Sequence, residues 1–272
     1  MSEGKEFLFK ILLLGDGAVG KTSIRERYMG KGFSGSYAKT IGADFASKDH
    51  PKGGHKIKLQ IFDLAGQDAY VVARKAFYKG GQAAFLVFDL QDSSTMSNLR
   101  TWIKDGIDNS AGTINTFVIL GNKADLTDTR QVSNEMAIEF CQQVAFETGI
   151  TFVFLETSAK TGLNIDVAFD IMTTRLLKKF NIDIPLDLPD GVSLIGPGGA
   201  TSSSTSAEDK QAIQAVAQAA KDSNKATMEL QGKLELVVKK IEEMDKRLGA
   251  VEERFTKLAS IVKQLVDSNN NS

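Results

Sequence analysis

The sequence is poor in cysteine, proline and tryptophan, and its charges almost cancel. Its only cysteine is Cys141, so an intramolecular disulfide framework is excluded, and we expect Cys141 to be a small buried residue in a reducing compartment. Its 33 Lys and Arg residues against 34 Asp and Glu residues give a formal net charge of −1. A chain of this charge has no general attraction for phosphate backbones, so we expect no nucleic-acid partner.

Long hydrophobic runs are also missing. The longest strongly apolar run covers residues 7–14, well short of the roughly 20 residues that a membrane-spanning helix needs. The N-terminus lacks the basic start of a signal peptide, and the C-terminus carries no cysteine for prenylation. The sequence therefore predicts a cytoplasmic protein without a direct lipid anchor, which could be peripheral at a membrane through a partner.

The distribution of proline divides the chain. Three of the four prolines and a run of glycine, serine and threonine fall within residues 183–206, which predicts a flexible linker. Before it, residues 1–182 have the length of one compact domain. After it, we expect a coiled-coil helix over 207–267 and a disordered tail over 268–272.

The first region has the pattern of an α/β protein. Short apolar runs alternate with helical patterns, which predicts a mostly parallel sheet with helices on both faces. Segments 44–49 and 55–63 depart from this pattern, because a Pro-Lys-Gly-Gly turn joins them directly. They predict an antiparallel hairpin at one edge of the sheet.

A phosphate-binding motif follows the first predicted strand. Residues 15–22, Gly-Asp-Gly-Ala-Val-Gly-Lys-Thr, match G-x-x-x-x-G-K-[ST] in the context that the motif requires. In such a loop, backbone N–H groups point at the β-phosphate, Lys21 reaches the β- and γ-phosphate oxygens, and the Thr22 hydroxyl binds Mg²⁺.

Two later segments predict the base. Asn122-Lys123-Ala124-Asp125 and Ser158-Ala159-Lys160 each follow a predicted strand, at the end where open α/β sheets bind ligands. The Asp125 carboxylate can accept hydrogen bonds from N1–H and the 2-amino group of guanine, whereas adenine lacks that pair of donors. The motifs therefore favour GTP, and a P-loop ATPase is the weaker alternative.

The segment at the end of the hairpin supplies groups for the γ-phosphate side. Asp63 is placed to hold Mg²⁺, the Gly66 N–H to bond the γ-phosphate, and Gln67 to orient the attacking water. Thr40 lies in an irregular segment long enough to fold over the nucleotide, and its hydroxyl would be a second Mg²⁺ ligand. Phe33 either stacks on the guanine or makes an apolar contact at a helix end.

With these motifs in order, residues 5–180 resemble a Ras-superfamily small GTPase, and within it the Rab family. Segments 41–45, 58–62 and 77–81 resemble those that separate Rabs from other branches. The resemblance implies a P-loop G domain with a six-stranded mostly parallel sheet and five helices. It also implies that GTP and GDP bind with Mg²⁺ and that GTP is hydrolysed to GDP.

The motifs and the resemblance together assign the site. The catalytic residues are Gln67, Lys21 and Thr40, and the Mg²⁺ ligands are Thr22, Thr40 and Asp63. The nucleotide-binding residues are Gly15, Asp16, Gly17, Ala18, Val19, Gly20, Lys21, Thr22, Ser23, Phe33, Tyr37, Thr40, Gly66, Asn122, Lys123, Asp125, Ser158, Ala159 and Lys160.

The resemblance also implies protein partners. Effectors would bind switch regions near 33–45 and 64–79 in the GTP state, and exchange proteins and GTPase-activating proteins would act on the same domain. Phe45, Phe62 and Phe77 would form an aromatic patch for effectors, although core packing accounts equally well for each of them taken alone.

The last region carries a heptad seam. Its apolar residues recur at alternating spacings of four and three: Leu230, Leu234, Val237, Ile241, Met244, Leu248, Val251, Phe255, Leu258, Val262 and Leu265. A parallel homodimer is favoured, because it sets Lys240 opposite Asp245 and Arg247 opposite Glu252. A hetero-coiled coil, a trimer and a helix lying on a membrane remain open.

Two functions follow from these observations. The first is a GTP-hydrolysing switch that recruits effectors in its GTP state, in trafficking or signalling. The alternative is a coiled-coil scaffold with GTP as a permanent structural ligand. Thr40, Gly66 and Gln67 favour the switch, because a structural site needs no sensor of the γ-phosphate.

Overall fold

The computed structural model describes residues 4–33, 40, 42–66, 71–186 and 188–202. These residues form an eight-stranded sheet with helices on both faces. The strands are β1 (Glu6–Leu14), β2 (Ala43–Asp49), β3 (Lys56–Leu64), β4 (Ala83–Asp89), β5 (Phe117–Asn122), β6 (Phe152–Glu156), β7 (Ser193–Gly196) and β8 (Gly199–Ser202). The helices are α1 (Lys21–Tyr28), α2 (Val71–Tyr78), α3 (Ser93–Ser97), α4 (Leu99–Asn109), α5 (Asn134–Thr148) and α6 (Ile165–Lys178).

The strand order is β2-β3-β1-β4-β5-β6-β7-β8. The five strands from β3 to β6 in this order pair in parallel, whereas β2 pairs antiparallel with β3. The mostly parallel α/β sheet and the edge hairpin that the sequence predicts are therefore confirmed. Parallel pairing brings the carboxyl ends of the central strands to one edge of the sheet, where ligands bind in such folds.

Apolar side chains cover both faces of the sheet. Every residue of β4 and of β5 is buried, which fits strands without polar alternation that lie between two helical layers. Helices α1 and α6 pack on one face, and α4 and α5 pack on the other. Cys141, a residue of α5, is fully buried as expected, and this burial raises the pKa of its thiol.

Local signals explain the boundaries of α5. The Ser133 side chain accepts a hydrogen bond from the Met136 N–H at 3.3 Å and so caps the first turn. Gly149 ends the helix with φ of +70°, a left-handed conformation that glycine adopts without steric cost.

The predicted linker over 183–206 is wrong for residues 193–202. These residues form β7 and β8, which extend the sheet antiparallel to β6 and raise the strand number from the expected six to eight. The helix count also differs, because Asn98 separates α3 from α4 and the described residues hold six helices instead of five.

An alternating apolar pattern explains why the segment after α6 folds back. Ile182, Ile184, Leu186 and Leu188 are partly buried against the core beneath α1 and α6. Side chains that alternate in this way pack one face of an extended segment. The proline and glycine content indicated a linker, but the alternation is the stronger signal here.

We expect Ile195→Ala to lower the free energy of unfolding by about 2–5 kcal/mol, because Ile195 in β7 is fully buried and its truncation leaves a cavity. Leu163→Ala is the control, since the Leu163 side chain is 47% exposed. Urea unfolding of both variants checks this. Equal stabilities of Ile195→Ala and the unmodified protein would contradict the packing of β7.

Two predicted segments cannot be compared with the fold. The coiled-coil helix over 207–267 and the tail over 268–272 lie outside the described residues. Among the helices that the structure does describe, none has the length and apolar character to cross a bilayer.

Candidate functional site

A cavity of about 530 Å³ opens at the carboxyl edge of the sheet. Most of the residues predicted to bind nucleotide line it: Gly17, Ala18, Gly20, Lys21, Thr22, Ser23, Phe33, Thr40, Gly66, Asn122, Lys123, Asp125, Ala159 and Lys160. Five others, Gly15, Asp16, Val19, Asp63 and Ser158, lie behind this wall and bond to its members. Tyr37 and Gln67 lie outside the described residues.

The glycine-rich loop connects β1 to α1 through two positions that need glycine. Gly15 has φ of +141°, and a Cβ there would lie 2.1 Å from the carbonyl oxygen of Val87. Gly20 has φ of +100°, and a Cβ there would lie 2.2 Å from Nδ2 of Asn122. The glycine-rich loop therefore packs directly against Val87 and Asn122, and residues of the loop line the cavity.

Lys21 is the first residue of α1 and is almost fully buried. Its Nζ donates hydrogen bonds to the carbonyl oxygens of Gly15 and Asp16, both at 2.7 Å. These bonds draw the side chain back over the loop, at the helix N-terminus where anions are favoured. An ammonium held there adds a full positive charge to the cavity.

Two hydroxyl groups and a carboxylate meet beside Lys21. The Thr22 hydroxyl donates to Oδ2 of Asp63 at 2.5 Å, and Oγ1 of Thr40 lies 3.0 Å from Oγ1 of Thr22. Oγ1 of Thr40 also lies 3.5 Å from Oδ2 of Asp63. Segments that are distant in sequence thus bring the three predicted Mg²⁺ ligands together.

Asp63 offers a buried carboxylate oxygen that a cation could bind. Its side chain is fully buried, and its Oδ1 has no hydrogen-bond partner among the described residues. Burial raises the pKa of this carboxyl above its ordinary value of 3.8, against the hydrogen bond from Thr22 and the charge of Lys21. Hard oxygen donors around an unsatisfied buried carboxylate fit Mg²⁺.

Three loops join at Asn122 beside the cavity. Asn122 is buried, and its Nδ2 donates to the carbonyl oxygen of Val19 at 2.8 Å. Its Oδ1 accepts from the N–H of Ala159 at 3.3 Å. Asn122 therefore connects the glycine-rich loop to the loop after β6.

Asp125 also lines the cavity, and two neighbouring side chains fix the orientation of its carboxylate. The Ser158 hydroxyl donates to Oδ1 of Asp125 at 2.6 Å, and Nζ of Lys160 lies 3.7 Å from its Oδ2. Nearby, Lys123 forms an ion pair with Asp89 at 2.5 Å. A carboxylate held in this way can accept two parallel hydrogen bonds from a planar ligand.

Aromatic residues occupy two places around the site. Phe33 lines the cavity with 49% of its surface exposed, which leaves a ring face available to a ligand. Elsewhere, the rings of Phe45 and Phe62 lie 5.0 Å apart and those of Phe62 and Phe77 lie 6.4 Å apart. These three form a continuous row whose outer member, Phe45, is half exposed.

The sequence analysis did not identify some residues of the site. Glu26, Arg27 and Leu126 also line the cavity. Two α4-side groups, Asn98 and Trp102, bond to Asp16 across more than 80 residues of sequence. Their spacing of four residues places them on one helix face, but no local pattern indicates what that face touches.

The chain was compared with known protein families and proteins. A family model described as Ras family matches residues 10–178. The chain is 38% identical to the Ras-related protein Rab-8B of Homo sapiens over 181 residues, which cover 66% of this chain and 84% of that protein.

Two further relatives agree with this match. The Ras-related protein Rab-8A of Rattus norvegicus is 36% identical over 193 residues, 71% of this chain and 90% of that protein. The Ras-related protein Rab7 of Drosophila melanogaster is 36% identical over 198 residues, 71% of this chain and 93% of that protein.

Proposed function

The chain belongs to the Ras family of small GTPases, and from this membership and its site we propose that it is a switch in membrane traffic that recruits effectors in its GTP state. It binds GTP and GDP with Mg²⁺ and hydrolyses GTP to GDP. Effectors, exchange proteins and GTPase-activating proteins are its partner classes.

One observation carries the proposal: a single cavity is lined both by phosphate-type groups and by a fixed carboxylate. Lys21, Thr22 and Asp125 all line it. A nucleotide is the ligand that needs both kinds of group at once. In this arrangement Asp125 selects guanine over adenine, because adenine lacks the N1–H and 2-amino donors that guanine offers to the carboxylate.

The phosphate-type groups would stabilise charge on the reacting group. Lys21 would donate to the β- and γ-phosphate oxygens, and Thr22, Thr40 and Asp63 would hold Mg²⁺. The ion would neutralise negative charge on the phosphates. Thr40 and Gly66 contact the γ-phosphate side, so its loss releases both switch segments and changes the surface that effectors meet.

We expect Gln67→Leu to slow hydrolysis of bound GTP by at least about tenfold, from an intrinsic rate on the order of 10⁻⁴ to 10⁻² s⁻¹, because the attacking water loses its orienting side chain. The affinity for GTP stays within about twofold, since Gln67 serves the water and not the ground-state nucleotide. Single-turnover hydrolysis and nucleotide titration measure the two quantities.

Gln142→Leu is the matched control, because Gln142 is exposed on α5, which contributes no residue to the cavity wall. Its hydrolysis rate should equal that of the unmodified chain. An equal loss of hydrolysis and affinity in Gln67→Leu would contradict the assigned role, and loss of guanine-nucleotide binding by the unmodified chain would contradict the proposed function as a whole.

For the region after residue 206 we propose a parallel coiled-coil homodimer, by which two nucleotide domains would act together. Leu248→Lys places a charge on the heptad seam and should convert the full-length dimer to monomer. Ala250→Lys, off the seam, should remain dimeric. Sedimentation of the unmodified chain and both variants at micromolar concentration is the measurement, and a monomeric unmodified chain would refute the homodimer.

We propose a cytoplasmic location, with membrane contact through partners.

A further inference from the structure

Asp16 of the glycine-rich loop is held from outside the loop by two donors. Its Oδ2 accepts a hydrogen bond from Nδ2 of Asn98 at 2.7 Å, and its Oδ1 accepts one from Nε1 of Trp102, also at 2.7 Å. Asn98 lies at the break between α3 and α4, and Trp102 lies one turn into α4. Both carboxylate oxygens of Asp16 thus accept hydrogen bonds from residues at the start of α4.

We propose that Asn98 and Trp102 are positioning residues that hold the phosphate-binding loop in its binding conformation through Asp16 and so slow nucleotide release. The proposal rests on the proposed function and adds residues outside all the nucleotide motifs. Neither residue lines the cavity, so both act through Asp16 and not through contact with the ligand.

The backbone of Asp16 shows how the anchor reaches the phosphate site. The Asp16 carbonyl oxygen accepts a hydrogen bond from Nζ of Lys21 at 2.7 Å. A Cβ added to Gly66 would lie 2.4 Å from the Asp16 carbonyl carbon, so these two backbones are in direct contact. A shift of Asp16 would therefore move the ammonium of Lys21 and the N–H of Gly66 relative to each other.

Burial strengthens the Trp102 hydrogen bond, and the charge of the acceptor strengthens both hydrogen bonds. Trp102 is only 4% exposed, so its indole N–H has little access to water and takes a partner from the protein. The acceptor is a carboxylate, and hydrogen bonds to charged groups are the stronger class. The first turn of α4 contains no acidic residue of its own, so Asp16 supplies the negative charge that a helix N-terminus favours.

The anchor also connects the loop to a predicted switch. Helix α4 packs against α2, which lies within the predicted switch region over 64–79. The same helix thus contacts a segment expected to respond to the γ-phosphate and a loop expected to hold the β-phosphate. A loop organised before the ligand arrives loses less conformational freedom on binding, which lowers the rate of release.

The test is a set of variants measured for GDP release and for hydrolysis of bound GTP. Trp102→Phe removes the donor and keeps the ring, Asn98→Ala removes an exposed amide, and Asp16→Ala removes the acceptor. We expect each to speed GDP release, by about tenfold for Trp102→Phe and Asp16→Ala, the size of one charged hydrogen bond. Hydrolysis of bound GTP stays within about threefold in Trp102→Phe and Asn98→Ala, because neither side chain lines the cavity.

The double variant separates positioning from general destabilisation. In the Asp16→Ala background, Trp102→Phe should change release by less than about twofold, because the bond is already absent. Arg100→Ala is the control on the same helix, since Arg100 pairs with Glu147 on α5, and its release rate should be unchanged. Additive effects, or release at the unmodified rate in both Trp102→Phe and Asn98→Ala, would overturn the proposal.

The only tryptophan of the chain provides a direct signal. In ¹H–¹⁵N NMR spectra of the GDP-bound protein, its single indole N–H resonance should move in Asp16→Ala and stay in place in Arg100→Ala. An indole resonance that is identical with and without the Asp16 carboxylate would also overturn the proposal. GDP binding by the unmodified chain is measured first, so a failure of the proposed function is seen separately.

Discussion

Replacing Asp125 with asparagine is expected to weaken GDP binding by about 1,000-fold, because an amide group meets the 2-amino group of guanine donor to donor. The substitution keeps the size of the side chain and still lets Ser158 donate to Oδ1, a bond of 2.6 Å in the structure. Displacement of a fluorescent GDP analogue measures the loss.

The same variant should gain affinity for xanthosine diphosphate. Xanthine has a carbonyl oxygen where guanine has its 2-amino group, and the new amide can donate to that oxygen while accepting from N1–H. Asp128→Asn is the matched control, since Asp128 is an exposed carboxylate three residues away, and it should bind GDP normally. Retention of guanine preference in Asp125→Asn would remove Asp125 from the base-recognition role.

Lys21→Met is expected to lower the affinity for both GDP and GTP by about 100- to 1,000-fold. Methionine has a similar linear shape and fills the buried position, but it removes the ammonium that would bond charged phosphate oxygens. It also leaves the carbonyl oxygens of Gly15 and Asp16 without the donor that holds the loop together. Calorimetric titration with each nucleotide measures the effect.

Lys31→Met provides the control for Lys21→Met. Lys31 follows α1, its side chain is 68% exposed, and its ion pair with Glu26 spans 3.8 Å. An exposed pair of this kind contributes little to stability, so nucleotide affinity should not change. If Lys21→Met and Lys31→Met bound GDP equally well, the phosphates would have to be bound elsewhere in the cavity.

Short sequence motifs explain which parts of the fold and the site could be predicted. The glycine-rich loop follows the buried second half of β1, and the segment from Asn122 to Asp125 comes at the end of β5, which is buried throughout. Each pattern spans fewer than ten residues and depends on backbone geometry that short sequences specify. The sequence therefore located most of the cavity wall, the hairpin of β2 with β3, and both kinds of group in the site.

The incorrect linker prediction has one physical cause. The β7–β8 hairpin exists because β6 offers an edge for pairing and the core beneath accepts Val192 and Ile195. Neither condition is visible in a stretch whose proline and glycine content is typical of a linker. Composition describes local preference, and tertiary packing overrode it here.

The sequence by itself predicted a phosphate-binding loop, a carboxylate placed to recognise guanine and the order of strands and helices between them. Only the tertiary structure decided that Asp63 is fully buried with one oxygen unsatisfied, and that Asn98 and Trp102 hold Asp16. The first kind of feature depends on neighbouring residues along the chain. The second depends on which distant side chains share a small volume after folding, because burial and hydrogen-bond partners exist only once the sheet and helices have packed.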